Sequence, residues 1–263
     1  MWIADTPEEC LLAATSPKAS PVTTATSKDF GNPFYPFDYE NFLNVIKCLC
    51  LNSVIKPCWK GWPLSDPSQF LTPEPLHHFH RMFWDHDIKW CITVTGLAEL
   101  DFCFSLLQTP VGYCVFEDGI SQLKQVMGRD HHTVQHYIIG AIAGSVPQCF
   151  LIAVHSLLSF QYMAQVLEFT DDTLVRVANT LQGFHDHKDA IMRSQKDSWE
   201  IPKLELLQSV ISSIHLSGAV IQWSADPTEH THVQEIKVPA RAGNNQDYYS
   251  QITCHLDCAE KCY

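Results

Sequence analysis

The chain has 263 residues, 46% of them hydrophobic, enough to bury the core of one or two domains. Its 29 acidic residues outnumber 17 basic ones, for a formal net charge of −12, and the basic residues are scattered; such a surface repels phosphate and argues against autonomous DNA binding. Eleven cysteines are an odd number, and Asp5, Glu8 and Glu9 stand where a basic leader belongs; reduced thiols in an intracellular protein, with no membrane span, are the expectation.

Residues 13 to 33, "AATSPKASPVTTATSKDFGNP", are poor in large apolar groups and read as part of a disordered leader. From Asp38 the pattern is helical, with Phe42, Leu43, Ile46 and Leu49 at 3.6-residue spacing. In "LTPEPLHHFHRMFWDHDIKW" the residue types fit Thr72 as N-cap and Pro73 at the first helical position, with Leu76, Phe79, Phe83 and Trp90 on one face. Further helices are predicted at 97–107, 119–127, 130–144, 147–166, 171–193 and 202–216, with Pro147 and Pro202 in first turns and Gly218 as a stop. The stretch around 134–166 is apolar almost all round but has Pro147 in its middle, which describes central core helices. Only 111–116, "VGYCVF", and 218–223, "GAVIQW", have strand character. The fold class is therefore mainly α, with at most two or three short strands.

Several constellations invite chemistry, and each has a plainer reading. In "IQWSADPTEHTH" Asp226, Pro227 and Glu229 fit N-cap, N1 and N3 of a helix, so the two carboxylates can be a capping box. His230 and His232 are two residues apart and cannot both face one ion on a helix. His77 with His80, and His132 with His136, each share a helix face and could supply two zinc ligands, but no Cys-x-x-Cys accompanies them. In "WDHDIKW" the residues Asp85, His86 and Asp87 are read as exposed charge alternating with buried aromatics, and "FHDHKD" at 184–189 as a solvated helix face. Cys254, Cys258 and Cys262 form a one-sided stripe, read as small hydrophobes packing.

Three stretches, "WPLSDPSQFLTPEPLHHFHRMFWDHDIKWC", "GISQLKQVMGRDHHTVQHYIIGAIAGSVPQCFLIAVHSLLSFQYMAQ" and "IPKLELLQSVISSIHLSGAVIQWSADPTEHTHVQEIKVPARAGNNQDYYSQI", resemble the C-terminal part of Plavaka-type transposases. These belong to fungal mobile elements related to the CACTA and the Kyakuja, Dileera and Zisupton groups. The likeness runs over about residues 33–260, and no counterpart is evident before Asn32. It implies an RNase H-like nuclease in which three carboxylates hold two Mg²⁺ ions for strand cleavage and transfer, working on DNA in the nucleus.

The third acid of that family lies after a large helical insertion, near a helix start. Its match is Glu229, with His232 completing a Glu-x-x-His pattern and Asp226 as the alternative acid. "LTPEPLHHFH" matches a Thr-Pro-acid-x-Leu-His-x-x-His element through Glu74, His77 and His80, to which a structural role, open to metal, is assigned. Related groups often carry His where this chain has Glu205 and Ser209. The first two acids are expected upstream of the matched region, and one carboxylate cannot hold two Mg²⁺ ions against hydration.

The expected organisation is a disordered leader over 1–33, read from composition, and, as the resemblance implies, a helical insertion-like body over 34–200 and an RNase H-like edge over 201–263 with a helix at 226–238 and a terminal helix. The expectation is a truncated, transposon-derived polypeptide without nuclease turnover and with no cofactor of its own, Mg²⁺ belonging to the intact family. DNA is the intact family's partner, bound weakly or not at all by this acidic chain. The alternatives are a helical protein-interaction module and a His/Cys metal-binding module.

Overall fold

A computed structural model describes residues 2–23, 25–32, 58–62, 67–123, 128–195, 199–244 and 246–261. The expected helix from Asp38, residues 124–127 of the helix expected at 119–127, and Cys262 lie outside the described residues. The chain divides into two compact units, Met1–Trp223 and Ser224–Tyr263, so residues 201–223 belong with the helical body and not with the carboxy-terminal part.

The larger unit begins where a leader was expected. Strand β1 (Trp2–Ala4) pairs in parallel with β2 (Leu71–Pro73), Ile3 opposite Thr72, and helix α1 (Thr6–Ala13) follows at once. Asp5 caps α1 by accepting from the Glu8 backbone N–H at 3.0 Å. The segment after it, poor in large side chains, is fastened by its hydroxyls: Ser20 Oγ accepts from the Thr23 N–H, and Thr23 Oγ1 donates to the buried Glu205 at 2.6 Å. Composition alone undercounts such anchors, because they depend on polar partners far along the chain.

A short helix α2 (Pro67–Phe70) leads into β2, so Thr72 and Pro73 are strand residues and not the helix start expected of them. The long helical run that follows opens with π turns at Leu76–His80 and Phe83–Asp87 and continues as α3 (Ile88–Thr95). It buries Phe79, Met82, Phe83 and Trp90, in line with the face read from sequence. Gly96 ends it with φ at +93°, a conformation glycine takes without strain. Then come α4 (Leu97–Ser105), α5 (Gly128–Ile142), α6 (Gln148–Ala164), α7 (Asp171–His187), α8 (Asp189–Gln195), α9 (Pro202–Leu206) and α10 (Val210–Ser217).

Helix α6 is the central element. Phe150, Ala153, Val154, Leu157, Leu158, Phe160 and Ala164 are all buried, and Phe160 meets Phe79 edge to face at 6.0 Å. Its apolar circumference is used against protein: among the described residues no helix is long and apolar enough to cross a membrane. A buried Gln135 to Gln161 hydrogen bond of 2.6 Å joins α5 to α6. Helix α7 is started by a capping box between Thr170 and Thr173.

Neither expected strand forms. At 111–116 the chain turns, the Cys114 N–H donates to Thr133 Oγ1 at 3.1 Å, and Val111 and Val115 face solvent. At Val220–Trp223 it makes a 3₁₀ turn, with Trp223 Nε1 donating to the Gly218 carbonyl at 3.0 Å. β-prone residues need a neighbouring strand to complete their hydrogen bonds, and neither stretch has one. The expected helix at 119–127 starts instead as a turn, because Asp101 accepts from the Ile120 and Ser121 N–H groups, both at 2.8 Å.

The smaller unit is a helical run, α11 (Asp226–Thr231), a π turn (His232–Lys237) and α12 (Val238–Ala242), followed by α13 (Tyr248–Glu260). The helix expected at 226–238 and the terminal helix are both present. Within this unit Ser224, Ala225, Pro239 and Ile252 are the buried residues among those described, too few for a core.

Truncating Phe160 to Ala removes the ring that joins α6 to the π-turn helix, and urea unfolding should record a loss of about 3–5 kcal/mol. Hydrogen exchange should find the amides of α11, α12 and α13 opening far more readily than those of α6, since so little apolar surface holds the former closed.

Candidate functional site

The densest grouping of ionisable side chains lies where α1 meets the start of the π-turn helix. Glu74 stands immediately before that helix, and its carboxylate accepts from the Leu76 N–H at 2.9 Å and the His77 N–H at 2.6 Å. These are first-turn donors that no helical carbonyl can reach. The same carboxylate makes a short contact with His77 Nδ1, and its side chain is fully buried.

Glu74 also holds His78 through its backbone. Its carbonyl accepts from His78 Nδ1 at 3.0 Å, which places the proton on Nδ1 and leaves Nε2 to accept from Thr6 Oγ1 at 3.0 Å. Glu9, also on α1, brings Oε2 to 3.8 Å from His78 Nε2 and makes no hydrogen bond through either oxygen. Glu9, Glu74 and His78 are all fully buried.

Environment sorts these groups into different charge states. Burial pushes the Glu74 carboxyl up, but the hydrogen bond and charge of His77 outweigh it and hold it below the usual carboxylate range. The bond to Glu74 raises His77 in turn, making the two an ion pair. Burial, reinforced by the charge on Glu74, drives Glu9 well above the usual carboxylate range. His78 is pushed down to about 4 by burial, against the pull of Glu74. The result is one anchored ion pair beside a neutral acid and a neutral imidazole.

Beside the cluster is a largely apolar pocket of about 320 Å³, bordered by Thr6, Cys10, Asp85, Ile201 and Lys203. Asp85 bridges Arg81 at 2.9 Å and Lys203 at 3.7 Å. The buried groups stitch α1 to the helix, and the arrangement has the features of a fastening more than of an open reaction centre.

The sequence-derived candidates are dispersed. Glu74 and His77 touch, while His80, expected to share a face with His77, sets its ring 4.7 Å from that of His132 at a tilt of 45°. His136 instead lies against Tyr113 at 5.1 Å. Glu229, Asp226 and His232 are all exposed on the helical run of the smaller unit. The capping box expected there does not form: Ala225 is the N-cap, Asp226 is the first helical residue, and Ser224 Oγ accepts the Asp226 N–H at 3.1 Å. Among the described residues no three His, Cys, Asp or Glu side chains converge on a point where an ion could sit.

Three plainer readings also change. Asp87 is fully buried with neither oxygen hydrogen-bonded, so "WDHDIKW" does not alternate as expected, and burial lifts its carboxyl well above the usual range. His185 and Lys188, expected in a solvated face, are buried, with Lys188 Nζ donating to the Gly31 carbonyl. Cys254 and Cys258 are exposed thiols rather than packing groups. Glu205, at a position where the resembled groups often carry His, is buried between Thr23 and Gln208, which lies 2.9 Å away, and burial raises it to about 7.

Sequence reasoning missed Glu9, Thr6 and His78. Thr6 and Glu9 lie some 70 positions before His78, and the signal available was the pair of acids at Glu8 and Glu9, one of which faces inward on α1.

The model of the Plavaka transposase family matches residues 1–91. The match covers the amino-terminal segment for which no counterpart was evident and includes both sides of the buried cluster. The quoted stretches at 119–165 and 201–252 lie beyond it. A β-galactosidase of Bacillus subtilis, GanA, is 32% identical over 91 residues, covering 32% of this chain and 13% of that protein. The chain thus spans about an eighth of the length of this curated relative, too small a share to carry its activity over. No solved structure matches.

Two variants should reveal opposite linkage. His78 is neutral in both states above 6.5; as pH falls from there toward about 4 the unfolded chain gains a proton that the folded chain excludes, and stability is lost. The stability of the parent relative to His78→Gln should therefore decline over that window. Glu205 stabilises most below the ordinary glutamate value of 4.5 and loses that contribution as pH rises to about 7, so the parent should lose ground to Glu205→Gln in the other direction. Urea unfolding at a series of pH values measures both.

Proposed function

We propose that this polypeptide is a transposase-derived helical part with no DNA-cutting centre of its own, inherited from an element whose intact enzyme moves DNA in the nucleus with Mg²⁺. The match of residues 1–91 to the Plavaka transposase family supports the origin. The placement of Glu229 carries the rest. A two-metal centre requires several carboxylates converging from neighbouring elements. Glu229 is exposed on a helix in a unit with few buried residues, and the described acids elsewhere are dispersed or buried.

The net charge of −12 supports weak DNA affinity for these residues alone, because phosphate contacts depend on clustered cations. A second reading, a protein-interaction module, is favoured by the exposed Val233, Val238, Tyr248 and Tyr249 of the smaller unit. A glycosidase reading finds no support in the buried acids, since that chemistry needs two carboxyls facing a sugar across an open cleft and Glu9 and Glu74 are sealed.

Purified protein incubated with supercoiled plasmid and Mg²⁺ or Mn²⁺ should leave it intact, and Glu229→Gln should behave identically. Metal-dependent nicking that disappears in Glu229→Gln would overturn the proposal.

A further inference from the structure

The most distinctive unassigned feature of the surface is a pocket of about 270 Å³ between the amino-terminal half of α5, the 112–113 turn and α6. Arg129, His132 and His136 recur on one face of α5 at the i, i+3 and i+7 positions, so all three side chains rise from the same side. Tyr113 and Tyr162 close the pocket from the turn and from α6. Among the described residues no carboxylate lines it, in a chain with twelve more acids than bases.

The local packing keeps these groups facing outward. Thr133, between the two histidines, is turned inward: it donates to the Arg129 carbonyl at 2.9 Å and accepts from the Cys114 N–H at 3.1 Å, tying the 112–114 turn to the helix. His131 is buried on the opposite side, stacked on Trp84 at 5.0 Å and 8° between planes. His132 packs on His80 at 4.7 Å, and His136 lies between Tyr113 at 5.1 Å and Tyr137 at 4.8 Å, so both imidazoles have supported orientations. Arg129 is exposed and enters no ion pair among those described.

Besides Thr133, whose hydroxyl is already engaged, each polar side chain among the described lining residues can donate. A guanidinium carries five N–H donors in a planar fork, each imidazole keeps at least one N–H in either charge state, and each phenol offers an O–H. A concave, carboxylate-free set of donors with a fixed positive charge is complementary to a compact multivalent oxyanion. The geometry points to a binding site for a phosphomonoester group, with Arg129 as the charged anchor and His132, His136 and the two tyrosines as orienting donors. A dianionic monoester uses the convergence of several donors better than a singly charged diester does. The pocket leaves room for a few further atoms beyond the phosphoryl group.

The test is a titration of the full chain with inorganic phosphate, followed by amide chemical shifts, with phenyl phosphate and dimethyl phosphate as comparison probes. Phosphate and phenyl phosphate should bind saturably and shift the amides of 112–114 and 129–136. Arg129→Gln should weaken both by about tenfold or more, as expected for losing a charge-assisted contact, with an unchanged urea midpoint because the side chain is exposed. Arg176→Gln, in the separate groove lined by His155 and Asn179, should leave binding unaltered. Non-saturable shifts, equal affinity in Arg129→Gln, or dimethyl phosphate binding as tightly as phosphate would each overturn the assignment.

Discussion

The amino-terminal architecture depends on one carboxylate. Glu74 takes the two backbone N–H groups that open the π-turn helix, pairs with His77, and through its own carbonyl sets the tautomer of His78. Because that tautomer leaves Nε2 as an acceptor, Thr6 on α1 has a partner, and the segment before residue 14 is drawn onto the helix beside the β1 and β2 pairing. Apolar contacts add to this polar link: Ala13 is buried with Leu71 and Leu206, and Leu12 packs against them.

The same dryness makes the fold a balance of buried titratable groups. His78, His131 and His185 are all pushed down to about 4 chiefly by burial, whereas Glu9 and Asp87 are driven up by it and Glu205 reaches about 7. Acidification charges the unfolded chain's imidazoles and neutralises its carboxylates, so the two sets oppose each other in their effect on stability. Buried acids and bases of this kind are often the mark of active sites. Here they are spread over separate places in the helical body, and some of them join distant segments, as Thr6 to His78, Thr23 to Glu205 and Gly31 to Lys188 do.

One concave group of solvent-reaching polar side chains lies elsewhere, on the Arg129, His132 and His136 face of α5. Of the residues singled out by family resemblance, Glu74 and His77 enter the buried cluster, while Glu229, Asp226 and His232 do not. The match over residues 1–91 coincides with the fastened joint, and the exposed Glu229 stands in the small unit outside it.

Periodicity alone determined the helical class, the positions of α4 to α7, the first-turn Pro202 and the stop at Gly218, because these follow from local backbone preference and one apolar face per helix. Tertiary structure decided what has no local signature. The β-prone 218–223 became a 3₁₀ turn for want of a partner strand, while β1 and β2 paired across nearly 70 positions. Glu9, Asp87, His185 and Lys188, solvent-facing by composition, went inside because their neighbours in space enclosed them. The charge a side chain carries, and whether it fastens or binds, depends on solvent access and on partners brought together from distant segments, and a linear pattern holds neither.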